Sequence, residues 1–171
     1  MFKSLAIKTE KHLRLLMAQS KYALLNSIQN VHYPKLLRMD GAISYWREHY
    51  KEIDSGNKEL LDNITNKAGI YALFSLKEKG QWELVYIGQT QSKTSKQRIR
   101  SHIVWRNKKT KSGKFTGSQF DGVQEIVMSG KELGFSFVEI YPASLRHYVE
   151  ENLIEKLNPP WNKQKVNKKK V

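Results

Sequence analysis

Apolar residues recur at helical spacing through residues 2 to 30, at Leu5, Leu13, Leu16, Ala23, Leu24 and Ile28, with good helix formers between them. That spacing predicts one or two amphipathic helices, interrupted at Pro34. A second stripe, Ile43, Trp46, Tyr50 and Ile53, predicts a helix from about residue 42 to 53, closed by the breaker Asp54-Ser55-Gly56-Asn57. No internal repeat occurs at solenoid periods.

After Lys67 the period changes from helical to alternating. AGIYALFSL and WELVYIG are short runs rich in aromatic and β-branched residues, separated by Lys77 to Gln81 with Gly80 as the turn residue, and they predict an antiparallel hairpin. With the turn centred near Glu78 and Lys79 and no bulge, Tyr71 stands opposite Tyr86 on one face. Thr94 and Gln97 make a capping-box pattern ahead of KQRIRSHIVWR. On that helix Ile99 and Ile103 face inward, while Arg98 and His102, four positions apart, share an adjacent face. A Lys-, Gly- and Ser-rich loop follows to about Gly117. Then come a short helix near Val123 to Met128, a strand from Phe135 to Tyr141, and a helix from about Ser144 with the stripe Leu145, Val149, Leu153 and Leu157. Asn158-Pro159-Pro160 stops it, because neither proline continues a helix. The order β, β, α, α, β, α predicts an α+β fold: a small antiparallel sheet of about three strands flanked by helices, behind a helical N-terminal extension.

Composition narrows the function. At 171 residues, 39% hydrophobic and 27% charged, the chain can close one core. No cysteine is present, which excludes disulfides, thiolate zinc sites and cysteine nucleophiles and leaves His, Asp and Glu for any metal. No run approaches the roughly 18 apolar residues of a membrane span, and the N-terminal segment breaks its apolar run with charges before a signal peptide could form. A soluble, cytoplasmic protein is expected. The net charge is +14, which favours a polyanionic partner. The bias is local: Leu84 to Phe120 holds nine bases and no acid, namely Lys93, Lys96, Arg98, Arg100, Arg106, Lys108, Lys109, Lys111 and Lys114. Such a stretch reads as phosphate contact, since a merely solvated surface intersperses carboxylates. Lys163, Lys165 and three further lysines end the chain, as nucleic-acid contacts or as a solubilising tail. Trp105, Phe115 and Phe120 stand near the basic loop as core residues or as base-stacking wedges. His12, His32, His49 and His147 show no metal-ligand spacing and are assigned no role.

Gly69-Ile70-Tyr71 and Tyr86-Ile87-Gly88 read GIY and YIG, QRIRSH supplies Arg98 and His102, and EENLIEKLNPPWN supplies Glu150 and Asn162. In these residues, and over most of residues 67 to 164, the sequence resembles the GIY-YIG nuclease superfamily. It looks most like its stand-alone phage endonuclease II type and its compact restriction enzymes. Arg100 and Glu151 stand beside the chosen residues; spacing to Ile99, Ile103, Leu153 and Ile154 favours Arg98 and Glu150. The stretch between the two tyrosines is longer than the common family spacing, so the hairpin must be extended or bulged.

The resemblance implies a Mg²⁺-dependent endonuclease hydrolysing phosphodiester bonds of double-stranded DNA, with Mn²⁺ as a substitute ion, in the cytoplasm of a bacterial or phage-infected cell. Tyr71, Tyr86, Arg98, His102, Glu150 and Asn162 are its implied catalytic residues, with Glu150 holding the ion. Arg98 would neutralise a phosphate oxygen, and such electrostatic stabilisers are worth roughly 3 kcal/mol or more. Tyr71 is the family's candidate base, and a phenol of pKa near 10 must fall by about three units, some 4 kcal/mol, to be largely ionised at neutral pH. Whether Tyr71 keeps the proton or relays it to His102 stays open at this level. Asn162 is expected to fix the water or the tyrosine network, and Gly88 to let DNA approach the backbone. Lys96, Arg100, Arg106, Lys108, Lys109, Lys111, Lys114, Lys163 and Lys165 are the expected DNA contacts. The alternative is a catalytically inactive nucleic-acid-binding or regulatory domain on the same scaffold. Residues 1–66 form the expected extension, as a cover on the core or an arm for dimerisation or DNA contact. Residues 67–164 form the nuclease domain and 165–171 a basic tail. Cutting both strands is easiest with two copies, so a homodimer or higher oligomer is expected.

Overall fold

The computed structural model describes residues 2–34, 43–105 and 118–162. Of the expected DNA contacts, Arg106, Lys108, Lys109, Lys111, Lys114, Lys163 and Lys165 lie outside these residues, as does Phe115.

The first helical pattern is a single helix, α1 (Phe2–Asn26), followed by a two-residue strand, β1 (Gln29–Asn30). The second is α2 (Ile43–Gly56), and it is followed by α3 (Lys58–Ile64), a helix not expected from the sequence. The breaker closes α2 at Gly56, and α3 starts directly after Asn57. A Cβ at Gly56 would stand 2.6 Å from the ring of His32, an exposed side chain. Asn57 is buried, receives the His32 main-chain N–H on Oδ1 and donates through Nδ2 to the His32 carbonyl, each at 2.8 Å. The residues that look like a turn are thus the joint that fixes the chain after α1 against α2 and α3.

The hairpin follows as β2 (Gly69–Leu76) and β3 (Trp82–Thr90), then α4 (Ser95–Ile103), α5 (Phe120–Met128), β4 (Leu133–Glu139) and α6 (Arg146–Leu157). Among the described residues the sheet has four antiparallel strands in the order β1-β4-β2-β3, one more than expected because the short β1 pairs with β4 at Phe135 and Gly134. The capping box is not formed: the Thr94 side chain makes no cap hydrogen bond at the start of α4. Asn158, at φ 45°, closes α6 just before the prolines.

The register of the hairpin differs from the bulge-free reading. Leu76 pairs with Trp82, which lengthens the turn by one residue, and Val85 is an extra residue where the register shifts between Leu73 and Phe74. Tyr71 therefore pairs with Gly88, and Tyr86 pairs with Leu73. Two one-residue displacements restore the side-chain parity, so both tyrosines stay on one face.

Helices cover both faces. On one, Tyr71, Leu73, Tyr86, Leu133 and Phe135 pack with Trp46, Ile53, Leu61 and Ile64 of α2 and α3, and with Ile99, Ile103, Phe120 and Val123 of α4 and α5. On the other, Ile70, Ala72, Phe74 and Ile87 pack with Met17 and Leu24 of α1 and with Val149, Leu153 and Ile154 of α6. Each such side chain fully buried is worth about 1.5–3 kcal/mol, so the N-terminal helices are part of the fold that positions the tyrosines. No described helix is long and apolar enough to cross a membrane.

Candidate active site

β2 carries Tyr71 into the middle of the first face, between Gly88 of β3 and Phe137 of β4. Its ring stacks on Phe135 at 6.3 Å between centroids and stands 6.1 Å from Tyr86 and 5.4 Å from His102. Tyr86 and His102 are 5.6 Å apart, so the three rings form one buried cluster.

Two side chains one turn apart on α4 meet the Tyr71 hydroxyl. His102 Nε2 lies 2.8 Å from it, and Arg98 Nε donates to it at 3.2 Å. The other imidazole nitrogen, Nδ1, accepts the main-chain N–H of Gln119 at 2.9 Å. Burial pushes the Tyr71 phenol above its ordinary range, with Tyr86 adding to the shift and Arg98 opposing it. His102 is held down to about 3 by burial and then by the Arg98 charge. Partial desolvation works against the Arg98 charge, but Tyr71, Tyr86 and Glu150 outweigh it and hold the guanidinium more firmly protonated.

Glu150 sits on α6 with 3% of its surface exposed, close enough for its charge to act on Arg98. Two phenols, a guanidinium, an imidazole and a carboxylate from β2, β3, α4 and α6 are thereby brought into one neighbourhood. Among the described residues no three His, Asp or Glu side chains gather round one point. Glu150 brings a carboxylate to this neighbourhood, a hard oxygen donor of the kind that could hold an ion completing its shell with water and substrate oxygens.

A family model described as the GIY-YIG catalytic domain matches residues 67–166, more than half of the chain. The chain belongs to the GIY-YIG family. No curated protein matches it. The GIY-YIG family is one of nucleases that act on DNA with divalent metal ions, and the α+β sheet with its flanking helices is the corresponding fold.

The glycine and asparagine of the GIY-YIG pattern each meet a neighbour within the fold. The space over Gly88 is taken by the Tyr71 phenol, since a Cβ there would meet Tyr71 Oη at 2.5 Å. Asn162 lies in the turn Pro160–Asn162, buried; its Oδ1 accepts the Ile87 N–H and its Nδ2 donates to the Ile87 carbonyl, both at 2.8 Å. β3 is an outer strand of the sheet, and the Asn162 amide stands in for a neighbouring peptide on its edge. The side chain thus fixes the residue between Tyr86 and Gly88; its described hydrogen bonds go to neither tyrosine.

Arg100 turns to α2, donating from Nε to Asp54 at 2.7 Å and lying over the Tyr50 ring. Lys96 Nζ lies 2.8 Å from Asp62 on the surface. Trp105 and Phe120 pack edge to face at 5.9 Å against the first-face core, so both are packing residues. Two features were not foreseen. The Gln119 N–H belongs to the backbone and carries no mark in the sequence. Arg146, one turn before Glu150 on α6, donates from Nε to Gln89 of β3 at 2.8 Å and ties the Glu150 helix to the strand of Gly88; only its four-residue spacing from Glu150 hinted at this.

Proposed function

We propose that the protein is a Mg²⁺-dependent endonuclease of double-stranded DNA, of restriction or phage type, acting as a homodimer or higher oligomer. The observation that carries the proposal is the Tyr71 hydroxyl, contacted by Arg98 and His102 in a buried cluster beside Glu150. In an ordinary core a tyrosine hydroxyl takes one neutral partner, whereas here a guanidinium and an imidazole are both spent on one oxygen.

In this reading Tyr71 accepts the proton of the attacking water as phenolate, a form that its burial opposes and that the Arg98 charge, and a metal ion when bound at Glu150, would favour; Arg98 also opposes the charge that develops on the phosphate. Arg98 reaches Tyr71 through Nε and keeps its terminal nitrogens for a non-bridging oxygen. Glu150 would hold the metal ion, which supplies positive charge to the phosphate when bound. Tyr86 lies against both Tyr71 and His102 and orients them. Asn162 and Gly88 position β3, and Lys96 with Arg106, Lys108, Lys109, Lys111, Lys114, Lys163 and Lys165 bears on the DNA backbone.

Supercoiled plasmid nicking with Mg²⁺ or Mn²⁺ tests the proposal. Tyr71→Phe, Arg98→Ala and Glu150→Ala are expected to lower the rate by at least about 100-fold while filter binding of DNA persists. Cutting by the Glu150 variant at the wild-type rate would remove the metal assignment. A wild-type protein that binds DNA and never nicks it would leave a binding domain only.

A further inference from the structure

The direction of the hydrogen bonds at His102 is set by a partner that has no choice. A main-chain N–H can only donate, and that of Gln119 meets Nδ1 of His102 at 2.9 Å. A neutral imidazole has one donor and one acceptor nitrogen, so an accepting Nδ1 leaves the hydrogen on Nε2. Nε2 is 2.8 Å from the Tyr71 hydroxyl and must donate to it. Arg98 Nε–H donates to the same oxygen. Both nitrogen partners of the phenol therefore give a hydrogen, and neither offers it a lone pair.

We propose that His102 is a fixed hydrogen-bond donor to Tyr71 and not the final acceptor of the proton, and that the main-chain N–H of Gln119 is the positioning group that holds it so. This rests on the reading of Tyr71 as the base. The chain runs one way: Gln119 N–H to Nδ1, Nε2–H to the phenolic oxygen. Tyr71 is fully buried and gives up its own proton through the hydroxyl of Tyr86, its hydrogen-bond partner, enters the step as a phenolate held by two N–H donors, takes the proton of the attacking water and ends as a neutral phenol. That proton leaves by way of the same Tyr86 hydroxyl, and His102 keeps its single hydrogen on Nε2 throughout.

Three further observations agree. His102 is 1% exposed, so the positive charge of a second proton would be buried at a cost. Burial and the neighbouring Arg98 charge also keep the imidazole neutral. The segment that presents the Gln119 N–H is itself tied to α4, because Ser118 Oγ donates to the Ser101 carbonyl at 2.6 Å and accepts the Phe120 N–H at 3.2 Å. The start of α5 is thereby built onto the turn of α4 that carries His102.

The test is ¹⁵N NMR of the imidazole in the full chain at neutral pH. The wild type and Gln119→Ala, which keeps the main-chain N–H, are expected to show a pyrrole-type Nε2 and a pyridine-type Nδ1. Gln119→Pro, which removes that N–H, is expected to lose the preference and to nick more slowly by about 10- to 100-fold. Because a proline at this position can unfold the chain, a second pair is read by activity. His102→Gln still offers an N–H to Tyr71 but is no base, and is expected to nick at least about 10-fold faster than His102→Leu. A pyrrole-type Nδ1 in the wild type, or equal loss in folded His102→Gln and His102→Leu, would overturn the proposal. A wild-type protein with the expected tautomer and no nicking would sink the nuclease reading and leave the hydrogen-bond direction standing.

Discussion

Gly88 lies so close beneath the phenol of Tyr71 that a Cβ built on it would stand 2.5 Å from both Cζ and Oη. Gly88 is not among the positive-φ glycines, so the backbone itself tolerates a side chain there. What forbids it is the ring, and the ring cannot swing aside, being packed against Phe135, Tyr86 and His102. The last glycine of the YIG segment is thus the floor on which the GIY tyrosine rests.

Gly88→Ala is therefore expected to displace the hydroxyl from its two nitrogen partners. Overpacking of this kind costs about 1–3 kcal/mol of stability, read by urea unfolding. Misplacing a reacting group by about 1 Å costs about 100-fold in rate, so nicking should fall further than the folded fraction does. Near-wild-type nicking by a folded Gly88→Ala protein would show that cutting does not depend on where this phenol sits.

Asn162 supplies a second expectation. Its amide donates to and accepts from the Ile87 main chain at 2.8 Å each. Asn162→Ala leaves a buried N–H and C=O without that partner, at about 1–3 kcal/mol, and should speed hydrogen exchange at the Ile87 amide. If Asn162 instead acted only by holding a water, the nicking rate would fall while Ile87 kept its protection.

The sequence carried the parts of this site that are letters at fixed spacing. Arg98 and His102 are readable as neighbours because four residues make one helical turn, and Tyr71 and Tyr86 as sharing a face because strands alternate. What the letters did not carry was register, since the longer turn and the extra Val85 move the partner of Tyr71 by two positions and leave parity unchanged. Residues 54–57 do close α2, but the helix that starts at once at Lys58, and the His32 main chain that Asn57 holds, carry no mark in that polar stretch. Asn162 and Gly88 were legible as parts of the pattern, but the groups they serve are main-chain atoms of Ile87 and the ring of Tyr71, which only the folded chain brings to them.

The basic residues on α4 separate by the same logic. Arg100 is turned inward onto Asp54 and over Tyr50 at 5.8 Å, which braces α4 against α2. Arg100→Ala is expected to lower stability by about 1 kcal/mol or less and to leave the salt dependence of DNA binding as it was. Lys96 is on the surface beside Asp62, and Lys96→Ala is expected to reduce the salt slope by about one unit if that lysine meets a phosphate. A lowered slope in the Arg100 variant would return that residue to the DNA face.

Acid stability reads the imidazole directly. His102 titrates at 6.5 when free and is held down to about 3 in the fold. Between those values the unfolded chain binds one more proton than the folded one, so stability rises with pH across the window. The contribution is fully present above pH 6.5 and is lost as the pH falls toward 3. Carboxylates add their own acid dependence, and subtracting the curve of a His102→Gln variant isolates the histidine. The difference between the two urea-unfolding series is expected to approach a slope of about 1.4 kcal/mol per pH unit between pH 6 and 4. Parallel curves would mean that His102 takes up a proton as readily in the fold as in the open chain, which a side chain buried beside Arg98 and accepting the Gln119 N–H on Nδ1 cannot do.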